Sequence, residues 1–334
     1  MTGGRVLVTG ACGYLGSALV PRLQATRDVE EVVLLDDLST GSPRHLAECD
    51  LTSGDVAFHR ADVREYGAVE GAVREAEPDA IAHLAAITGA ASTHDREAET
   101  RAVNLEGTEN VLTAARKFDV DQVAFASSCN VYGRADHREL DETVEPDPIN
   151  PYAGTKHDAE SLLAAYDEEY GLETTALRFS TVYGHAPGIR FNLVVNAFVF
   201  RALTDRPLTV YGDGSNWRPF IHVADAARAL TDVLHTPERW PRPVYNVGDC
   251  AENYQIEDVA RILRNTLDRD LDIVYLEDER PGPSYHVNFD RLEETGFDLE
   301  WTLHEGVVDL AAALGDQAGR YPHPSEPTEA VRDV

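Results

Sequence analysis

The chain has 334 residues, 43% of them hydrophobic, and sets 59 acids against 29 bases for a formal charge of −30. That length suits one large domain or two intimate ones with a sizeable core. So acidic a surface repels nucleic acid and anionic membranes, no apolar run reaches the roughly 18 residues of a membrane span, and Met1-Thr2-Gly3-Gly4-Arg5 lacks a signal-peptide core; a cytoplasmic protein with neither partner is expected. Short apolar strands are expected at Arg5–Thr9, Glu31–Leu35, Val56–Arg60, Ala80–Leu84, Gln122–Ser127 and Thr174–Phe179. Helices are expected between them at Ser17–Thr26, Val69–Ala76, Asn104–Phe118 and Lys156–Tyr170. This alternation predicts an α/β fold with a mostly parallel, doubly wound sheet. After about residue 183 the rhythm breaks at Pro187, Pro207, Gly212-Asp213-Gly214 and Pro219. A helix at Val223–Leu234 and a strand at Val244–Val247 read as a return to the first domain. Ile256–Leu267 and Asp272–Leu276 read as helix and strand of a smaller α/β lobe, and the Pro- and acid-rich tail from Gly315 is expected to be disordered.

Only two basic residues are lysines, Lys117 and Lys156. The simplest account is a salt-rich cytosol, since in molar salt the Debye length falls to roughly 3 Å and self-repulsion is screened. Binding of cations or of a basic partner is the alternative. Cys12, Cys49, Cys129 and Cys250 form no C-x-x-C pair and the twelve histidines no H-x-x-x-H, so neither a disulfide framework nor a metal site is expected.

Gly10-Ala11-Cys12-Gly13-Tyr14-Leu15-Gly16 follows the first strand and opens a helix. Three glycines at that place let the chain turn tightly, bring bare backbone to a pyrophosphate and pack helix on strand. Glycine is common in any turn; the position after an N-terminal strand makes this a dinucleotide site of the Rossmann type. Asp36 ends the second strand, where a carboxylate accepts from both adenosine ribose hydroxyls and repels a 2′-phosphate, so NAD is expected rather than NADP. Asp37 beside it, and Asp62-Val63 after the third strand facing the adenine, are equally readable as ordinary solvated acids in so acidic a chain.

Tyr152 and Lys156 stand one helical turn apart. Carbonyl–alcohol redox chemistry needs a group that takes the hydroxyl proton, and a tyrosine does so when its pKa falls from about 10 towards 7, worth roughly 4 kcal/mol. An ammonium about 4 Å away supplies that order of energy at an effective dielectric near 20. Y-x-x-x-K is a common accident of helices; here Lys156 survives in a chain nearly emptied of lysine, although Lys117 survives for no visible reason.

With Ser128 added, the sequence resembles the extended short-chain dehydrogenase/reductase family, most closely its nucleotide-sugar epimerases of the UDP-galactose 4-epimerase kind, from about residue 5 to about 310. The resemblance implies an NAD-binding domain over 1–182 with a return segment 221–247, and a substrate lobe from 183–220 and 248–314. Ser127–Gly133 is similar to the family's S-x-x-V-Y-G and implies a catalytic Ser128. Leu84, Ala85 and Ala86 of the H-x-A-A strand end, and Asn104, are implied on the cofactor side. Thr88 is implied on the substrate side, as is Thr181, which replaces the Asn of R-x-x-N-V-Y-G. Asn192, Leu193, Val210 and Tyr211 fall where relatives line the nucleotide pocket. Arg218, in R-P-F-I-H-V-A-D, and Arg280, in R-P-G, fall where relatives meet the diphosphate; a surface arginine balancing acids is the alternative for both.

The resemblance implies transient oxidation at C4 of a nucleotide-sugar, a UDP-sugar above all, by bound NAD with Tyr152 as base. Dehydratase relatives carry Asp-Glu directly after the Ser/Thr; here those places hold Cys129 and Asn130. A sugar dehydrogenase or keto-sugar reductase uses the same residues and stays open, and a non-catalytic NAD sensor is the reading from another class. A homodimer, paired through helices around Leu105–Phe118 and Tyr152–Tyr170, is implied by resemblance alone.

Overall fold

The computed structural model describes residues 4–47, 49–51, 55–90, 92–135, 139–277 and 282–315. Arg280 and the tail beyond Gly315 lie outside them. Strands β1 (Gly4–Thr9), β2 (Val29–Asp36), β3 (Val56–Arg60), β4 (Ala80–His83), β5 (Gln122–Ser128) and β6 (Glu173–Phe179) alternate with helices α1 (Tyr14–Ala25), α2 (Tyr66–Ala76), α3 (Glu97–Arg101), α4 (Gly107–Lys117) and α5 (Pro151–Tyr170). Then come β7 (Thr181–Tyr183), α6 (Val194–Leu203), β8 (Leu208–Tyr211), β9 (Trp217–His222), α7 (Val223–His235), β10 (Val244–Val247), β11 (Asn253–Gln255), α8 (Ile256–Thr266), β12 (Ile273–Leu276), α9 (Asp290–Glu293) and α10 (Leu303–Gly315).

The main sheet runs β10-β6-β5-β4-β1-β2-β3, with every pairing parallel. It is a doubly wound Rossmann sheet, covered on both faces as an all-parallel sheet must be. Alternation along β1 sends Val6 and Val8 into one core, with Leu19, Leu34 and Val233, and Leu7 into the other, with Val33, Val111 and Leu163. The order reverses at β1, which pairs with β2 on one side and β4 on the other. Ligands of such sheets bind in the crevice beyond the carboxyl ends of the strands at that switch point.

A smaller α/β lobe holds the sheets β11-β9-β7 and β12-β8 around a third core of Val195, Phe198, Val210, Phe220, Leu263 and Val307. The sequence reading named no α6, β8 or α10. Helix α6, VVNAFVFRAL, is buried on nearly every side, so it carries no polar stripe that marks a helical period. Asn104, expected to open a helix, instead sits within one π turn, Ala102–Glu106, between α3 and α4. Among the described residues no helix is long and apolar enough to cross a membrane.

Candidate functional site

A cavity of about 680 Å³ opens at the switch point, between the ends of β1, β2, β4 and β5 and the segment after β6. Its floor is the turn from β1 into α1. Gly10 has φ +68°, and a Cβ there would stand 2.8 Å from the Ala85 nitrogen. A Cβ on Gly16 would meet the Gly10 and Ala11 carbonyls at 2.5 Å. Gly13 caps α1 without a side chain, no acid occupies the first turn, and Gly13, Tyr14, Leu15 and Gly16 line the cavity, with the Gly13 N–H turned back onto the Gly10 carbonyl at 3.0 Å. This is a cradle that side chains would fill, and it fits a dinucleotide's diphosphate.

Asp36 is buried at the end of β2, its two oxygens accepting from the Cys12 and Leu38 N–H groups at 2.8 Å each. Burial raises its pKa and those two donors oppose the rise. Cys12 also lines the cavity; its thiol is pushed up to about 12 by burial. Asp37 turns back to accept from the Ser39 N–H and hydroxyl at 2.9 and 2.7 Å. Asp62 is gripped by the Arg64 guanidinium at 2.5–3.0 Å, which holds its carboxyl below the usual range. Val63, Leu84, Ala85 and Ala86 complete this half. His83, neutral with its pKa pushed down to about 3 by burial, is fixed between the Thr9 and Thr108 hydroxyls at 2.7 and 2.9 Å.

Asn104 does not line the cavity. Its Oδ1 accepts from the Ile87 N–H at 2.7 Å, and its Nδ2 donates to the Ile87 carbonyl at 2.9 Å and to Thr155 Oγ1 at 3.0 Å. It therefore props the wall that carries Ala85 and Thr88.

The other half holds Ser128, Tyr152 and Lys156. Asn150 caps α5 by accepting from the Ala153 N–H at 2.9 Å, and Pro151 fills the first helical position, so Tyr152 and Lys156 stand on the opening turns of a well-started helix. Ser128 acts on the Tyr152 phenol, lowering its pKa against the effect of burial. Lys156 donates to the Ala126 carbonyl at 2.6 Å, and its Nζ lies 4.4 Å from the Phe125 ring centre and 5.9 Å from that of Tyr152. Burial dominates both titrations: Tyr152 is raised, against the opposing pull of Ser128 and Arg190, and Lys156 is pushed down to about 7. The expected fall of the tyrosine pKa is thus absent from the protein alone, because a solvated-pair argument omits the desolvation of both side chains. Behind the trio, Glu160 and Arg178 form a buried bidentate pair at 2.6–3.1 Å, and Glu160 also accepts from the Ser127 hydroxyl.

Thr88, Thr181 and Leu193 line the cavity. Asn192, Val210, Tyr211 and Arg218 do not. Val210 is packed in the lobe core, so its side chain cannot face a ligand in this cavity. Arg218 is 2% exposed and lies one layer back, its Cζ 4.8 Å from the ring centre of Tyr285, which does line the cavity. The alternative of a surface arginine is excluded by that burial. Gly188, Ile189, Arg190 and Tyr285 line the cavity without having been singled out; Pro187 marked a loop, but no spacing tied it to the glycine turn.

Residues 6–248 match the NAD dependent epimerase/dehydratase family. The chain belongs to that family. It is an enzyme of NAD-dependent type, and NAD is its cofactor. It is 31% identical over 304 residues to the low-salt glycan biosynthesis protein Agl12 of Haloferax volcanii, covering 90% of this chain and 96% of that one. A UDP-glucose 4-epimerase of Thermus thermophilus solved with NAD is 30% identical, with a TM-score of 0.80 over 94% of this chain and 99% of that one. DesIV of Streptomyces venezuelae, a dTDP-glucose 4,6-dehydratase solved with NAD and TYD bound, is 26% identical, with a TM-score of 0.85 over 95% and 98%. Epimerases and dehydratases thus stand side by side among its relatives.

Proposed function

We propose that this family member is a nucleotide-sugar 4-epimerase acting on a UDP-sugar. One observation carries the choice between the family's two reactions. Among the described residues, the carboxylates lining the cavity are Asp36, Asp37, Asp62 and Glu99, and each is engaged away from Tyr152: Asp36 by the Cys12 and Leu38 N–H groups, Asp37 by Ser39, Asp62 by Arg64 and Glu99 by Arg96. Removal of water from a sugar needs an acid and a base beyond those that handle the C4 hydroxyl. Next to Ser128 stand Cys129, fully buried with its thiol on the Arg178 carbonyl, and Asn130, held by the Asn150 amide at 3.0 Å. Neither transfers a proton near neutral pH.

In this reading the glycine turn holds the cofactor's diphosphate, Asp36 accepts from the adenosine ribose, and Leu84–Ala86 with Lys156 flank the nicotinamide ribose. Bound NAD supplies the acceptor, and then the donor, of the hydride. Tyr152 takes the proton of the C4 hydroxyl and later returns it, while Ser128 holds the same oxygen. Lys156, once charged, stabilises the Tyr152 phenolate. Thr181 and Leu193 border the sugar side.

The test is the full-length chain with NAD in molar KCl, given UDP-galactose and, separately, UDP-glucose, with products followed by NMR. Interconversion of the two without accumulation of NADH supports the reading. A 4-keto-6-deoxy product, or NADH formed in step with substrate consumed, overturns it in favour of a dehydratase or a dehydrogenase.

A further inference from the structure

The turn that follows Ser128 is tied to the start of the helix that carries Tyr152 and Lys156. After β5 the chain makes one turn of 3₁₀ helix, Cys129–Tyr132, in which Ser128 Oγ accepts from the Asn130 N–H at 3.2 Å. Gly133 ends it with φ +63°, and a Cβ there would collide with the Asp147 carbonyl oxygen, so the turn and the segment leading into α5 lie in close contact. Across that contact Asn150 Nδ2 donates to Asn130 Oδ1 at 3.0 Å. The direction of this bond is set by its surroundings. Asn150 Oδ1 already accepts from the Ala153 N–H at 2.9 Å, so Asn150 turns its amide nitrogen to Asn130, and the atom it meets is an oxygen. The other end of the Asn130 amide is therefore an NH2 group. It donates to nothing among the described residues and is not closed off from solvent, and Asn130 lines the cavity with Ser128 and Tyr152.

We propose that Asn130 is a sugar-contacting residue whose Nδ2 donates to an oxygen beside the reacting C4; this rests on reading the site as that of a nucleotide-sugar 4-epimerase. The C4 oxygen is already served by Tyr152 and Ser128. Asn130 stands two residues past Ser128 on the same turn, so its donor meets the sugar next to C4 and not at it. The carbons flanking C4 offer the C3 hydroxyl and, through C5, the C6 oxygen, and both can accept. A carboxamide donor suits them and brings no further charge to a dianionic substrate in a chain of formal charge −30. The two ends of the amide cannot trade places, because a flip would set the Asn130 and Asn150 nitrogens against each other and leave both unpaired. The donor is thus aimed before any substrate arrives. Two substitutions separate this role from a purely structural one. Aspartate keeps an oxygen for the Asn150 amide and loses the donor, whereas alanine loses both.

The measurement is calorimetric binding to the NAD-loaded full-length chain in molar KCl, in a Tyr152→Phe background so that no sugar is turned over. UDP-glucose, UDP-xylose (which lacks the C6 oxygen) and UDP are the separate probes. Asn130→Asp should weaken UDP-glucose relative to UDP on the order of threefold to tenfold, as the loss of one hydrogen bond does, and Asn130→Ala should show a similar relative loss. The same loss for UDP-xylose assigns the contact to the C3 hydroxyl, and a spared UDP-xylose assigns it to the C6 oxygen; either result supports the proposal. An unchanged ratio of UDP-glucose to UDP affinity in Asn130→Asp overturns it, because the amide would then serve only to join the turn to the helix. Equal losses for UDP and both sugars in the two variants also overturn it, since they mean a disturbed pocket rather than a missing sugar contact. A parent protein that binds none of the three probes overturns the nucleotide-sugar reading itself.

Discussion

Replacing Lys156 with methionine should make the nucleotide-free protein more stable at neutral pH while removing its turnover. The ammonium is 2% exposed, and burial brings its pKa from an ordinary 10.5 down to about 7. At about 1.4 kcal/mol per decade of proton affinity, a lysine half-protonated at pH 7 in the folded chain and fully protonated in the unfolded one costs the fold about 4 kcal/mol. Methionine fills similar space without that cost, but it forfeits the bond to the Ala126 carbonyl, worth about 2 kcal/mol. A net gain of about 2 kcal/mol at pH 7 is expected. The sign then changes with pH. The folded value lies below the unfolded one, so between about 7 and 10.5 the unfolded chain binds more protons and wild-type stability climbs. By pH 10 only about 1 kcal/mol of penalty remains, and the variant should be the less stable of the two. Paired urea titrations at pH 7 and pH 10 in molar KCl read this directly. A variant less stable than wild type at pH 7, or a difference that does not move between the two pH values, refutes the reasoning.

Tyr152→Phe should cut turnover by about 10²–10⁴-fold while NAD affinity stays near the wild-type value, measured by steady-state kinetics beside calorimetry; more than about a tenth of the activity surviving contradicts the proton-transfer role. Glu160→Gln leaves the buried Arg178 guanidinium without its carboxylate and should destabilise by about 3–5 kcal/mol, read by chemical denaturation. Asp36→Ala removes the acceptor for the Cys12 and Leu38 N–H groups, so it should both lower stability and narrow the preference for NAD over NADP in competition binding. A wild-type chain that already favours NADP would count against the reading of Asp36.

What the sequence disclosed follows from what depends on neighbours in the chain. The glycine turn was legible because its spacing answers to local sterics, as the 2.5 Å approach at Gly16 makes plain. Tyr152 and Lys156 were legible because one helical turn brings i and i+4 together. Seven parallel strands followed from their apolar runs and the helices between them. Helix α6 escaped because an element buried all round loses its period. Asn104 carried the right residue and the wrong surroundings: whether an amide faces a ligand or a backbone wall is decided by Ile87, seventeen positions away. Arg190 could not be found from local pattern, since it reaches Thr88 across more than a hundred residues of chain. The desolvation of Tyr152 and Lys156 is likewise a property of the packed interior.

The path of the chain has a consequence for how such a protein can change. After β6 it leaves the main sheet to build β7, α6, β8 and β9, returns for α7 and β10, and departs again for the rest of the lobe. Helix α7 packs on α1, and β10 completes the edge beside β6. A break after Phe179 would therefore strip the nucleotide half of an edge strand and bare the apolar face of its first helix. Recombination at one crossover cannot exchange the lobe as a cassette, because any single junction divides either the main sheet or the lobe. Altered specificity in this architecture comes from side chains replaced in place, along a wall whose backbone is already committed to the cofactor's turn.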